Sequence, residues 1–256
     1  MKKILIYIIV ATIASISSVF AQNTAGDAST SEPRYMIDMP TAGLLKRGSF
    51  SFESNFFQNG GLLVGLYAGA LDRLTFGISY GGTGIIGNGT VTMQKLPGVM
   101  LKYRVIDETD ALPAIAVGFD SQGKETYIDS LERFTIKSRG LFIAGSKNYS
   151  FLGFLSFHGG VNWSTENKDG DKDMDVFAGI EKSIGEEISF LAEYDFAFND
   201  NRNIGFGKGN GYLNAGLRWS LATGLTLGFD LKNIVKNQKY VSYANRTLKV
   251  EYIRTF

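Results

Sequence analysis

Residues 212–232, YLNAGLRWSLATGLTLGFDLK, decide the fold of this chain. Every second residue from Leu213 to Trp219 is apolar, and polar or small residues stand between them. After a short stretch at 222–224 the alternation returns and continues to Lys232. A period of two residues is that of a β-strand with one apolar face, and a short connection joins two such strands into an antiparallel hairpin.

The same alternation recurs along residues 49–256 and predicts twelve strands of about 8–11 residues, the length of a tilted strand that crosses a bilayer. Short connections such as 185–187 alternate with long ones such as 121–138. The first connection, 58–61, departs from this alternation, because it is short where a long connection is expected. We therefore predict an all-β, 12-stranded antiparallel transmembrane β-barrel over residues 49–256, with short periplasmic turns and longer extracellular loops.

A soluble β-sandwich or a lipocalin-like secreted barrel is the alternative fold, since either would bury the apolar face and expose the polar one. The polar face here is rich in glycine, which a solvent face does not need. Aromatic residues also gather at both ends of the apolar face, as in the interfacial girdles of membrane barrels. They are Tyr80, Phe119, Trp163, Phe196 and Phe198 towards the long loops, and Trp219, Tyr252 and Phe256 towards the short turns.

The composition excludes several classes of function. The 256 residues include no cysteine and one histidine, so disulfides, thiolate metal sites and multi-histidine metal sites are ruled out. Lys and Arg number 26 against 25 Asp and Glu, so no basic excess indicates nucleic acid. We expect no cofactor, no metal and no nucleic-acid partner.

The N-terminal segment predicts export. Lys2 and Lys3 precede an apolar run from Ile4 to Ala14, and Val19 and Ala21 suit a small-residue cleavage site. We predict a signal peptide over residues 1–21, cleaved after Ala21, with an uncleaved membrane anchor as the alternative. Residues 22–48 form a leader that precedes the barrel. We expect the barrel to reside in a bacterial outer membrane and to contact its lipid.

The C-terminal residues resemble the assembly signal of bacterial outer-membrane proteins, an alternating last strand that ends in an aromatic residue. That resemblance implies export by the Sec translocon and insertion by the barrel assembly machinery. Arg254 departs from the pattern, but an arginine near the headgroups can snorkel to them. The residues that carry the resemblance are Leu248, Val250, Tyr252 and Phe256.

A second resemblance lies upstream. The stretch 37–42, IDMPTA, followed by Gly48-Ser49-Phe50, is similar to the start of barrels in the YjbH-like exopolysaccharide-associated family. It implies an envelope role connected with polysaccharide.

Charged residues on the inner face form the candidate site. They cluster on strands that become neighbours when the barrel closes, opposite a wall of glycines at positions 65, 69, 77, 118 and 160. They could form a cross-strand salt-bridge network that fixes register, or a polar conduit or binding groove, and the two can coexist. The charged set is Glu53, Lys102, Arg104, Glu193, Asp195, Arg218, Asp230, Lys232, Lys249 and Glu251, and His158, Asn162 and Asn214 are the polar lumen residues.

Catalysis is not expected. Ser156, His158 and Asn162 have the residue types of an outer-membrane phospholipase, but their spacing is wrong and they face inward. The acidic stretch 167–175 resembles an EF-hand calcium loop. That pattern needs an acidic ligand at position 12 and a helix on each side, but position 12 counted from Asp169 is Ile180, and strands flank the stretch. We expect a solvated acidic loop there, with weak binding of a divalent ion as the alternative.

The stretch 35–45, YMIDMPTAGLL, is too apolar for a free tail, and Pro40 rules out a central strand. A 12-stranded barrel is wider than the ~8 strands that side chains alone can fill. We predict that residues 35–45 fold inward from the short-turn end and lie against the glycine wall. A disordered or membrane-surface leader is the alternative.

These features together predict a non-enzymatic envelope role, namely passage or accessory handling of polar solutes or polysaccharide through a charged, glycine-lined lumen. An occluded structural or surface-contact barrel is the second hypothesis, and an outer-membrane hydrolase is the third. A small polar solute or a polysaccharide is the expected ligand.

Overall fold

The structure is a computed structural model that describes residues 31–241 and 243–256. The predicted signal peptide, residues 1–21, and the first part of the leader lie outside the described residues. The strands are β1 (Ser49–Phe57), β2 (Gly61–Leu71), β3 (Leu74–Thr83), β4 (Thr92–Met93), β5 (Gly98–Ile106), β6 (Ala114–Asp120), β7 (Lys124–Ile128), β8 (Arg133–Ile136), β9 (Gly140–Ser150), β10 (Phe154–Trp163), β11 (Asp175–Ile184), β12 (Ile188–Asp195), β13 (Tyr212–Ala222), β14 (Leu225–Lys232) and β15 (Asn245–Thr255).

Twelve of these strands form a closed antiparallel barrel. Each pairs with its neighbours along the chain, and β1 closes the ring by pairing with β15. At this seam Ser49 lies opposite Thr255, and Glu53 lies directly opposite Glu251. The predicted 12-stranded antiparallel barrel is therefore confirmed. No helix in the described part of the chain is long and apolar enough to span a membrane.

The alternation along the strands separates an apolar outer surface from a polar interior. Phe76 and Phe229 point outward, each with 48% of its surface exposed, whereas their neighbours Gly77 and Asp230 are buried inside. An outer surface of exposed aromatic and aliphatic side chains around a polar lumen is the pattern of a barrel in lipid.

The two ends of the barrel differ as the sequence predicts. Connections such as 185–187 and 223–224 are tight turns, and we refer to this end as the short-turn end. At the other end, the long-loop end, β4, β7, β8 and the 3-10 turn Phe198–Asp200 belong to loops. The β7–β8 hairpin folds inward there, because Phe134 and Ile136 are buried.

Residues 33–45 lie inside the barrel, and every one of them is buried; we call this segment the plug. It is a hairpin whose tip is a turn at 36–39, where the Met36 N–H donates to the Met39 carbonyl at 2.9 Å. The Thr41 N–H donates to the Arg34 carbonyl at 3.1 Å. Both ends leave by the short-turn end, since Ser31 and Lys46 lie beside the 223–224 turn. The tip points towards the long loops.

The predicted bare glycine wall is wrong in detail. A Cβ at Gly65 or Gly77 would meet the Tyr67 ring, and Cβ atoms at Gly118 and Gly160 would meet Phe142 and Phe177 respectively. Aromatic rings of the strands therefore occupy the space above four of the five glycines. Gly69 alone of the five meets the N-terminal segment, since a Cβ there would lie 2.1 Å from the Lys46 carbonyl oxygen.

Candidate functional site

Strand alternation places all the sequence-predicted lumen residues on the inner face. The side chains of Glu53, Lys249 and Glu251 meet at the β1–β15 seam, and Glu193 and Asn214 meet on β12 and β13. Others do not join one network: Arg104 lies on the opposite wall, and Asp195 pairs with Arg139 at 3.0 Å. The remaining members, Lys102, Arg218, Asp230, Lys232, His158 and Asn162, are described below in terms of their own partners.

Glu193 holds the tip of the plug. Its carboxylate accepts the backbone N–H groups of Ile37, Asp38 and Met39 at 3.0, 3.0 and 3.1 Å. Asn214 Nδ2 donates to the same carboxylate at 2.8 Å and fixes its orientation. Three N–H donors on one carboxylate satisfy the charge that a dry lumen would otherwise leave unpaired.

Cations on β5 hold the two legs of the plug. The Lys102 ammonium donates to the carbonyls of Arg34, Thr41 and Gly43 at 2.6, 3.0 and 3.2 Å. Arg104 donates to the Ala42 carbonyl and forms an ion pair with Glu32. Lys102 is fully buried, so these carbonyls take the place of its hydration shell.

Arg34 closes the β1–β15 seam from inside the lumen. Its guanidinium lies 3.0 Å from Glu53 Oε2 and 2.5 Å from Glu251 Oε1, and it stacks 3.9 Å from the centre of the Tyr67 ring. Lys249 contacts Glu53 at 3.0 Å and Glu251 at 3.4 Å. Two carboxylates that face each other across the seam thus share two cations, one of which comes from the plug.

Two further pairs flank the tip. Lys232 Nζ contacts Asp38 Oδ1 of the plug at 2.6 Å. Arg218 contacts Asp230 at 2.5 Å and donates to the Met36 carbonyl at 2.8 Å. The charged wall therefore serves partly as the predicted cross-strand network and partly as a set of partners for the plug.

The histidine does not assemble a catalytic set. His158 Nδ1 lies 2.8 Å from Ser146 Oγ, which accepts the Ala42 N–H at 2.9 Å. Ser156 instead bonds to Asn148, and the side-chain atoms of buried Asn162 have no hydrogen-bond partner. The serine, histidine and asparagine of the phospholipase pattern are therefore not brought together, and the Ser146–His158 pair lies under the plug.

The acidic loop is only partly solvated: Lys168 and Asp173 are exposed, and the expectation of a solvated loop is wrong for its buried acids. Asp169 and Asp171 are buried, because Arg133 and Lys137 of the β8 region reach them. Lys137 lies 2.9 Å from Asp169, and Arg133 bridges Asp169 and Asp200, the latter at 2.8 Å. Cations from one long loop thus gather the acids of two others over the mouth of the barrel.

Glu166 lies in the same loop cluster and accepts the Phe134 N–H at 3.1 Å. Burial raises the pKa of this carboxyl to about 7, and its hydrogen bonds only partly offset that rise. Asp200 is affected in the same way, since burial raises its pKa above the ordinary value. In the described residues, no three His, Asp or Glu side chains converge in a way that could hold a metal ion.

A pocket, which we call the vestibule, lies between the plug tip and the β7–β8 hairpin. Its cavity volume is about 40 Å³, which is room for a few water molecules. Lys124 lies over the Tyr35 ring at 5.3 Å, and Glu125 accepts bonds from Gln238 and Asn245. The lining also includes Asp38, Glu53, Asn55, Tyr127 and Lys232.

Sequence reasoning missed Arg34, Arg133 and Lys137. Arg34 and Lys137 lie outside the strands, and Arg133 begins the short loop strand β8, so the alternation of the barrel strands assigns none of the three a face. The position of Arg34 beside the apolar stretch 35–45 is the one signal that could have indicated its role. A cation that enters the lumen with that stretch needs a carboxylate partner there.

No protein-family model and no curated protein matches this chain. Among solved structures, the KdgM porin is similar, with a TM-score of 0.47, 8% identity, and coverage of 80% of this chain and 98% of that chain. The outer membrane protein Omp33 of Acinetobacter baumannii has a TM-score of 0.40 and 9% identity, and the match covers 81% of this chain and 97% of that chain. An outer membrane channel from Pseudomonas putida F1 has a TM-score of 0.38 and 13% identity, and the match covers 83% of this chain and 97% of that chain. These likenesses are distant, and the barrel is established by its own strand pairings.

Proposed function

We propose that the chain is an exported barrel of the bacterial outer membrane with a non-enzymatic envelope role. It passes or handles polar solutes or polysaccharide, and passage occurs only when the plug withdraws from the lumen. One observation carries the proposal: both ends of the plug leave by the short-turn end, while wall side chains bond to its main chain along its length. A hairpin inserted in this way can leave without any barrel strand separating.

The resting state in this proposal is closed. The plug occupies the lumen at the level of Glu53 and Glu193, and its buried polar groups are matched by the wall. Opening therefore requires the coordinated loss of ion pairs and hydrogen bonds, and it is expected to be infrequent without a ligand or a pull from the short-turn side.

A reversible lock tests the proposal. Ala42 of the plug packs with Ala114 and Ala116 of β6 in one buried cluster, and the natural chain has no cysteine. In the variant Ala42→Cys/Ala116→Cys, oxidation should abolish single-channel openings in a planar bilayer, and reduction should restore them to the wild-type frequency. A second variant that lacks residues 33–45 should conduct continuously. Unchanged conductance in a well-assembled deletion variant would contradict the proposal.

The second candidate is a permanently occluded barrel with a structural or surface-contact role. The Arg34 contacts with Glu53 and Glu251 favour it, because the plug helps to hold the seam together. This candidate predicts a silent wild-type barrel at every voltage and solute concentration, with current only after deletion of the plug.

A further inference from the structure

The wall of the lumen recognises the main chain of the plug more than its side chains. On the acceptor side, Glu193 takes the tip N–H groups, Ser146 Oγ takes the Ala42 N–H at 2.9 Å, and Thr75 Oγ1 takes the Leu45 N–H at 3.0 Å. On the donor side, Lys102 and Arg218 bond to plug carbonyls. Backbone carbonyls occur at every residue of any polypeptide, and N–H groups at every residue other than proline.

The side-chain contacts of the plug are fewer and more specific. Arg34 enters the space between Glu53 and Glu251, Asp38 meets Lys232, and the Tyr35 hydroxyl donates to Asp120 at 2.6 Å. The apolar plug side chains only pack, as Met39 does against Phe142 and Phe177. Side chains of similar volume could replace these, whereas a cation is needed at the seam.

We infer that the lumen is a peptide-binding site, in which a polypeptide hairpin with a basic residue at the seam can take the place of the plug. The inference rests on the proposed withdrawal of the plug. Its ligand class is a basic peptide segment recognised through backbone N–H and C=O groups. The partner enters from the short-turn end, because both legs of the resident hairpin lie there.

The charges of the wall favour a peptide over a saccharide at this level of the lumen. A neutral sugar would leave Glu53 and Glu251 opposite each other with Lys249 as their one remaining cation among the contacts seen here. An acidic sugar would add a third negative charge at that point. A peptide with an arginine or a lysine restores the missing charge, and its carbonyls supply the acceptors that buried Lys102 needs.

The test begins with the full chain. A specific protease site is inserted between Arg47 and Gly48, which are exposed, and the assembled barrel is cut there so that the plug is held by non-covalent contacts alone. A fluorescent peptide of residues 31–47 is then added in detergent, and its binding is followed by anisotropy. The competitors are the same peptide N-methylated at 37–39, a peptide with Met36→Leu, Ile37→Val and Met39→Leu, one with Arg34→Ala, and a neutral and an acidic oligosaccharide.

The labelled peptide should exchange with the cut plug. N-methylation should weaken competition at least tenfold, since it removes the N–H groups that Glu193 accepts. The Arg34→Ala peptide should also compete at least tenfold more weakly than the unmodified peptide. The peptide with substitutions at 36, 37 and 39 should compete within threefold of the unmodified peptide, and neither oligosaccharide should compete. Undiminished competition by the N-methylated peptide, displacement by an oligosaccharide, or no exchange within a day against a hundredfold excess would each overturn the inference. The channel currents report withdrawal of the plug independently. Absence of exchange in a barrel whose currents show the expected openings overturns the inference alone, whereas absence of both exchange and openings contradicts the proposed function as well.

Discussion

At the scale of the residue, the seam between β1 and β15 poses a problem that Arg34 solves. Glu53 and Glu251 are directly opposed in register, and like charges in that position destabilise a sheet. Arg34 and Lys249 supply the two compensating cations. Ring closure and plug insertion are therefore coupled through one guanidinium.

We expect Arg34→Met to lower the free energy of unfolding by about 3–5 kcal/mol, because it leaves buried carboxylates short of one charge partner. Methionine keeps the aliphatic part of the side chain, so the loss reports the guanidinium, with its charge and its stacking on Tyr67. Urea unfolding of the barrel in detergent, followed by tryptophan fluorescence, measures it. Arg47→Met is the matched control, because Arg47 is exposed and its substitution should have no measurable effect. Equal stability of the two variants would show that Lys249 alone balances the seam.

Outward residues should respond to charge as lipid-facing groups do. Phe229→Arg places a cation in the apolar belt and should cost about 2–4 kcal/mol if the position lies near mid-bilayer. Thr226→Ser, on the inner face of the same strand, should cost much less. Unfolding in lipid vesicles measures both, and a reversal of the order would mean that the register of β14 is shifted by one residue.

At the scale of the element, period two was sufficient to predict the strands but not the segments between them. A strand such as β13 has its faces assigned by alternation alone, so Arg218 could be placed in the lumen from sequence. The partners of Arg218 could not be predicted, because the Met36 carbonyl belongs to an irregular hairpin distant in the chain. The burial of Asp169 in the acidic loop could not be predicted for the same reason, since it depends on Arg133 and Lys137 from another loop.

The long-loop cluster should loosen as pH rises. The pKa of Glu166 is about 7 in the fold, above its ordinary value of ~4.3, so the stability linked to its protonated form is fully present below pH ~4.3 and is lost as pH rises through 7. Arg133, Lys137, Asp169 and Asp200 face the same cluster, and burial also raises the pKa of the Asp200 carboxyl.

Amide exchange at residues 133–137 should therefore be slower at pH 5.5 than at pH 8.5 after correction for the intrinsic rate. Glu166→Gln should remove most of the difference, because the amide oxygen still accepts the Phe134 N–H and carries no charge. Lys168→Gln is the control, since Lys168 is largely exposed and pairs with Glu132 at the surface. An unchanged pH dependence in the Glu166 variant would assign the effect to Asp200 instead.

At the scale of the whole molecule, the barrel is held by strand pairing, and its interior is filled by the plug, rings and ion pairs rather than by an apolar core. The buried apolar clusters are small, and each of two pairs a plug residue with strand residues, as Met39 does with Phe142 and Ala42 with Ala116. Assembly must therefore bring the plug and the closing strand together at one seam. Phe256, the residue that follows β15, is the position at which we test assembly separately from stability.

Deletion of Phe256 should impair assembly in the cell without weakening the assembled barrel. Phe256 is 94% exposed, and among the described residues its ring stacks on Phe50, at 5.2 Å, so little packing is lost with it. Outer-membrane levels should fall several-fold, with protease-sensitive chain in the periplasm, while the same variant refolded in detergent should unfold at the wild-type urea concentration. Phe256→Tyr, which keeps an aromatic terminus, should assemble normally. Normal outer-membrane levels of the deletion variant would contradict the role of this residue as an assembly signal, and a lower urea midpoint would assign it to stability instead.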